Sequence, residues 1–254
     1  MNSVPLLRRA PVALPRPFSR SPATMNLRHP RFIRPALGAA CVAALASLAA
    51  CNGDACFGVD VCFNNNNTQA VALSGTAATG TALASASVTV SCVQGSATTL
   101  TDGGGNYRVT VNAVLPCVLT VASGGTSLHS LAYAGGTFNT TPETELLLVY
   151  LAAQLGTNTA GLIGNFQGNA HFQQVMGSPN TVQAAQSAVV TNLQQRYAVT
   201  LSTPAFLTTS FVVGQAGVDS DLGALAKAGA IDSNGMPDPA AITLLTQAGA
   251  AHPL

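Results

Sequence analysis

The chain has 254 residues, and only 7% of them are charged, against about 25% in an average soluble protein. Its formal net charge of +1 hides an asymmetry, because seven of the ten basic residues precede Cys51 and all nine acids follow it. The chain from Cys51 onward is therefore acidic and lacks the basic footprint of a nucleic-acid-binding protein, so we expect no nucleic-acid partner.

The first 50 residues have the pattern of an export signal. Three arginines, the last at Arg34, precede an uncharged, largely apolar run over 36–50. A basic segment, a short apolar segment and small residues at a cleavage point are typical of a secretory signal. The run is shorter than the roughly 20 residues of a transmembrane helix. Because the signal has an ordinary length when counted from Met25, we expect the true start there.

The signal ends in Leu48-Ala49-Ala50-Cys51, which resembles the lipobox of bacterial lipoproteins. The resemblance implies cleavage between Ala50 and Cys51, and acylation of Cys51 by diacylglycerol and a fatty acid such as palmitate. Asn52 follows, where an Asp would suggest retention in the inner membrane of Gram-negative bacteria. The expected location is the outer membrane, on its periplasmic face or at the cell surface, with the bilayer as partner. An ordinary secretory signal that ends near Cys51 is the alternative.

Residues 51–68 are polar and of low complexity, with four consecutive asparagines, and are typical of a spacer between anchor and folded domain. With Cys41 in the signal and Cys51 taking the lipid, an even number of cysteines is left, which indicates disulfides in an exported chain. Three pairings are possible, and we favour Cys56–Cys62 with Cys92–Cys117. No C-x-x-C motif and no neighbouring histidine indicates a metal site, so neither metal nor cofactor is expected.

Residues 69–137 have the two-residue period of β-strands. Val88, Val90 and Cys92 alternate with hydroxyl residues, and similar alternation recurs around Tyr107 and Cys117. Cys92 and Cys117 both fall on the apolar side of their strands, which places them in a common core. Closing that loop would stabilise the fold by about 3 kcal/mol in the chain-entropy model. The glycine-rich segment 101–107 is predicted to be a hairpin turn rather than a phosphate loop, because a strand follows it and no lysine does.

The strand order, with Thr101-Asp102-x-x-Gly105-x-Tyr107 leading into a further strand, resembles the carboxypeptidase-regulatory-like domain, a transthyretin-like fold. The resemblance covers about 69–137 and implies an antiparallel, prealbumin-like β-sandwich that serves as a structural or interaction module. It carries over no catalytic residue.

Residues 138–254 change to a helical period, so the expected fold class is α+β: the sandwich followed by a mostly α-helical region. Thr141 is predicted to cap a helix with Pro142 at its first position. The apolar run 146–153 predicts a buried helix, against this chain or against a partner. Further helices are predicted over 179–197, 219–228 and 238–247, and 199–211 is ambiguous.

This junction contains Asn139-x-Thr141-Pro142-x-Thr144-Glu145-Leu146. The segment resembles one that follows such sandwiches in proteobacterial envelope lipoproteins, for which no chemistry is implied.

The candidates for chemistry are few. His129, His171 and His252 stand outside any metal or hydrolase motif, and no serine lies in G-x-S-x-G. Glu143 and Glu145 lie two apart, so a helix turns them to different faces, and interaction with the positive helix end explains them better than acid–base catalysis. The segment from Asp232 to Asp238 faintly resembles a calcium loop, but a turn followed by a helix cap is favoured.

The expected function is that of a membrane-anchored envelope lipoprotein acting as a non-catalytic binding or structural module, with an unidentified envelope protein or polymer as partner. Two alternatives remain. One is an exported hydrolase whose Ser, His and acid residues assemble only in space around His129 or His171. The other is a sugar-binding protein, against which the lack of tryptophan counts.

Overall fold

The computed structural model describes residues 67–254, so the predictions for Ala50 and Cys51, and for Cys56 and Cys62, lie outside the described residues. The described chain is a mixed α and β structure, with its strands before residue 138 and its helices after residue 141. One hydrophobic core runs through both regions. The sequence boundary at 137/138 therefore separates kinds of secondary structure that share a core.

Six strands form the sheet, and their period of two follows the sequence prediction. Their bounds are β1 Gln69–Thr76, β2 Ser87–Gln94, β3 Ser96–Leu100, β4 Asn106–Ser123, β5 Thr126–Ala132 and β6 Gly136–Thr137. Five strands follow one another in the order β3-β2-β4-β1-β6. The sixth, β5, also pairs with β4 and is not part of this linear order. All pairings are antiparallel except that of β6, which runs parallel to β1. The sheet is therefore mixed, whereas the sequence analysis predicted a purely antiparallel arrangement.

The long strand β4 organises the sheet, because its two halves have different partners. Residues 106–113 pair with β1, whereas residues 117–123 lie between β2 and β5. Cys92 of β2 and Cys117 of β4 stand directly opposite each other, are fully buried and are joined by a disulfide bond. This is the pairing that the alternation favoured.

The helices begin at α1, Pro142–Gln154, whose N-cap is Thr141 as predicted. Its apolar side chains are buried within this chain, between β5 and the later helices, which confirms the expectation of a buried helix. The remaining helices are α2 Thr159–Asn165, α3 Ala170–Met176, α4 Pro179–Tyr197, α5 Val218–Lys227 and α6 Pro239–Ala250, with a 3₁₀ turn at Phe166–Gly168.

The prediction for α4 is confirmed to the residue, and Asp238 caps α6 through its carboxylate, which accepts from the Ala240 N–H at 2.8 Å. The ambiguous segment 199–211 contains neither strand nor helix. Helices α2 and α3 were not predicted, because each has seven residues and buries only one or two of them.

Helix α6 packs closely on α1. A Cβ added at Gly249 would lie 2.4 Å from the Tyr150 carbonyl oxygen, so only glycine allows this approach. The Leu254 N–H at the end of the chain donates to the Gln154 carbonyl at 3.1 Å. Of the described helices, none is by itself long and apolar enough to cross a membrane. One pair, Pro142–Gln154 with Thr159–Gly168, has the required length and composition when taken together, but the two helices meet at a bend of 83°.

Candidate functional site

A tight turn positions the start of β4 and one wall of a surface groove. The Asp102 carboxylate accepts hydrogen bonds from the backbone N–H groups of Gly104 and Asn106, both at 2.8 Å. These bonds, the one from Asn106 above all, lower the pKa of Asp102. Gly105 has a φ of +80° and packs on the Ala77 carbonyl, which any side chain would strike. The turn predicted for 101–107 is thereby confirmed, and its aspartate stays ionised. It is not the hairpin that was expected, because β3 and β4, which flank it, both pair with β2 and not with each other.

The same turn occurs a second time at Asp232. Its carboxylate accepts from the N–H groups of Asn234 at 2.9 Å and Met236 at 2.8 Å, and Gly235 has a φ of +73°. The bond from Met236 is the main cause of a lowered pKa at Asp232. The carboxylate that resembled part of a calcium loop therefore organises a turn, as favoured.

Tyr107 ties the strand region to the junction before α1. Its side chain is buried, and its hydroxyl donates to the Phe138 carbonyl and lies 3.3 Å from the Thr140 hydroxyl. Gly75 lies against both Tyr107 and Phe138, so a Cβ there would come within 2.0 Å of the Phe138 oxygen. Burial raises the pKa of Tyr107, which keeps the phenol protonated as a donor.

Asn139 is a buried clamp between strand and loop. Its amide oxygen accepts from the Thr76 N–H at 3.2 Å, while its amide nitrogen donates to the carbonyls of Phe206 at 2.9 Å and Thr209 at 2.7 Å. Its own N–H donates to the Leu207 carbonyl at 2.7 Å. A single residue of the junction motif therefore holds the irregular segment 199–211 against the end of β1.

A groove of about 350 Å³ opens beside these contacts, at the ends of β1 and β6. Its lining is mostly polar: hydroxyls, an amide, one carboxylate and one guanidinium. The polar side chains of this lining include Ser74, Asp102, Asn106, Arg108, Thr137 and Ser210. A second groove, of about 400 Å³, runs along β1 and shares Ser74 and Arg108 with the first. The first groove is therefore suited to a polar ligand held by hydrogen bonds and charge. The second is walled mostly by backbone and small apolar side chains of β1, and Arg108 is its charged group.

The two glutamates of α1 behave differently from the prediction that both serve the positive helix end. Glu145 contacts β5: its Oε2 accepts the backbone N–H of His129 at 2.7 Å and lies 3.0 Å from the ring Nδ1. A carboxylate oxygen only accepts, so the Nδ1–H of His129 donates to Glu145. The neighbouring Thr144 hydroxyl donates to the His129 carbonyl at 2.9 Å.

Glu143 is fully buried, and neither of its carboxylate oxygens has a hydrogen-bond partner among the described residues. Burial, with a smaller contribution from the Asp221 carboxylate, raises its pKa to about 8. Asp221 itself is held by the N–H and hydroxyl of Ser202, at 2.8 and 2.6 Å. At neutral pH Glu143 is therefore a neutral acid, and a stabilising interaction of its charge with the helix end does not apply.

The histidines do not form a complete catalytic group in the described part of the chain. His129 has its carboxylate partner, but no hydroxyl of residues 67–254 hydrogen-bonds to its ring. His171 begins α3 on the surface, and His252 is exposed at the C-terminal end. Within the same residues, no three His, Cys, Asp or Glu side chains are grouped to hold a metal ion.

Comparisons of this chain with protein-family models, with curated proteins and with solved structures found no match. Nothing in the sequence singles out Arg108 beyond its being one of few cations. Glu143 and Glu145 were assigned to the positive helix end, whereas Asn139 and Thr144 stood in the junction segment without an assigned role.

Proposed function

We propose that this protein is a lipid-anchored lipoprotein of the bacterial envelope whose folded part binds a partner without transforming it. The observation that carries the binding function is the pair of grooves that meet at Ser74 and Arg108. Their walls are fixed by backbone hydrogen bonds and by the buried Asn139 clamp, and pre-formed walls that carry a few placed polar groups favour recognition. Cys51 supplies the anchor, and an envelope protein or polymer is the partner.

The anchor and the folded unit are separated by a short stretch of sequence. The first strand begins at Gln69, which leaves 17 residues after Cys51. A chain of that length spans at most about 60 Å when fully extended. The grooves of an anchored protein would therefore stay within that distance, plus the size of the domain, of the outer membrane.

The proposal extends to the fold of the strand region, which we assign to a small transthyretin-like sandwich. Support comes from β4, whose halves pair with different strands, and from the inward side chains of both halves, which enter one core. An experimental structure tests this assignment. Two facing layers about 10 Å apart are expected, and a single continuous layer would exclude the sandwich.

Lipidation is tested by feeding an alkyne fatty acid to a Gram-negative host that expresses the full chain, followed by membrane fractionation. The native chain should carry the label and sediment with outer membranes. Cys51→Ser should lose the label and accumulate as precursor, because the thiol is the acyl acceptor. Cys56→Ser, five residues away, is the matched control and should behave as the native chain. Label that persists in Cys51→Ser would overturn the anchor.

A further inference from the structure

The outer edge of β1 is open over half its length. On one side β4 pairs with β1 from Gln69 to Thr76, but on the other side β6 pairs only with Leu73 and Ser74. Further along, the carbonyls of Ser74 and Thr76 accept bonds from Phe138 and Thr140 on that outer side. Because backbone groups alternate in direction along a strand, the N–H and C=O of Ala70 point to the same side. No described strand pairs with Ala70 there.

The open stretch lies in the larger groove. Its walls are residues 70–74 of β1, Arg108 of β4, and Gly135 with Gly136 at the start of β6. The two glycines have no side chain to cover the edge, and Gly135 approaches the Ala72 carbonyl, where it closes one end of the groove. An exposed strand edge of this kind is a template for an added strand from another chain.

Arg108 supplies a charge at the closed end of this groove. It stands opposite Ser74 in the pairing of β1 with β4, is exposed and forms no ion pair with the described residues. The chain from Cys51 onward has three cations against nine acids, and Arg108 is the cation that lines both grooves. A guanidinium matches the geometry of a carboxylate through two parallel hydrogen bonds.

The direction of an added strand determines which carboxylate of a bound peptide would reach Arg108. Strand β6 runs parallel to β1 and begins at the closed end. A peptide that continued the line of β6 along Gln69–Ala72 would run the same way, and its last residue would meet Gly135 and Arg108. We propose that this groove binds the free C terminus of a partner protein, which adds as an extended strand to β1 and places its terminal carboxylate on Arg108. This inference rests on the proposed binding function and names its ligand.

The test uses the full chain in mild detergent and a library of random hexapeptides displayed with free C termini. Peptides recovered from the library are resynthesised with a free or an amidated C terminus, and their binding is measured by fluorescence anisotropy. We expect Kd values in the micromolar range for the free acids and at least tenfold weaker binding of the amides. If no peptide binds, or if amides bind as well as acids, the proposal is overturned.

Two variants locate the site. Arg108→Gln should weaken binding of the free acids at least tenfold but leave the amides unchanged, whereas Arg196→Gln, an exposed arginine at the end of α4, should change neither. Ala70→Pro removes the outward N–H of residue 70 but leaves the hydrogen bonds between β1 and β4 in place. It should weaken binding of both the free-acid and the amidated peptides. Melting curves check that each variant folds. Equal binding by the native chain and folded Arg108→Gln would exclude the site while leaving the lipid anchor intact, because the labelling experiment does not involve the groove.

Discussion

The first turn of α1 carries two glutamates, one beside β5 and the other beside α5, and the two environments have opposite effects on them. On the side of β5, Glu145 is partly exposed and accepts both the backbone N–H and the ring N–H of His129. On the side of α5, Glu143 is buried, has no hydrogen-bond partner within residues 67–254, and lies near a second carboxylate, Asp221. The two residues are both glutamates and lie two positions apart in the sequence. Their different surroundings explain why Glu145 hydrogen-bonds to the edge of β5 whereas Glu143 stays neutral.

The largest effect is expected for Glu143, as a dependence of stability on pH. Its pKa is about 8 in the folded chain and near 4.5 in the unfolded chain, so the folded state holds one more proton between these values. Stability should therefore be greatest below pH 4.5 for this group, fall by about 1.4 kcal/mol per pH unit up to pH 8, and level off above it. Urea unfolding from pH 5 to 9 measures this slope.

Glu143→Gln should flatten that profile and stabilise the protein by several kcal/mol at pH 8, because the amide cannot ionise. Asp221→Asn keeps an oxygen for Ser202 but removes the like charge. It should lower the folded-state pKa of Glu143 and so end the decline at a lower pH, while its start near pH 4.5 is unchanged. If Glu143→Gln retains the full slope of the native protein, the buried acid is not its source.

A smaller effect is expected on the β5 side. Glu145→Ala removes the acceptor of the His129 N–H and ring, and a hydrogen bond to a charged group contributes about 1.5–3 kcal/mol. We expect a loss of about 2 kcal/mol in unfolding free energy and faster hydrogen exchange at the His129 amide. Glu145→Gln, which keeps a neutral acceptor, should lose less. An unchanged exchange rate at His129 in Glu145→Ala would show that the contact does not close the edge.

The smallest effect is expected for Thr144→Ala, which removes the donor to the His129 carbonyl and one half of the capping box with Thr141. Capping residues contribute about 1 kcal/mol, and we expect a loss of that order. Thr191→Ala is the control, because Thr191 is exposed and its hydroxyl donates within its own helix, to the Ser187 carbonyl. Calorimetric melting compares the two, and equal losses would contradict a special role for the contact with β5.

The difference between these two glutamates also shows what the sequence can predict. Local chemistry was sufficient for the Asp102 turn, for the Thr141 cap and for the bounds of α4, because each depends on residues within a few positions. The alternation of strands also placed Cys92 and Cys117 on one side. In each case the feature is determined by residues close together in the sequence.

Contacts distant in sequence were not predictable in the same way. Glu143 depends on Asp221 nearly eighty positions later, and the irregular segment 199–211 depends on Asn139. The parallel pairing of β6 involves two residues, too few to produce a period. Arg108 was visible as one of few cations, but its position between two grooves follows only from the pairing of β4 with β1.

The packing of α6 on α1 has a consequence for how the chain is made. Residues 146–153 of α1 are apolar on every side, and Gly249, which allows α6 to cover them, lies about a hundred residues later in the chain. Synthesis and export both proceed from the N terminus, so α1 emerges some eighty residues before α6 does. The nascent chain therefore exposes the apolar surface of α1 until α6 has followed, and a chain truncated before α6 is expected to be captured by chaperones and degraded rather than to fold as a shorter protein.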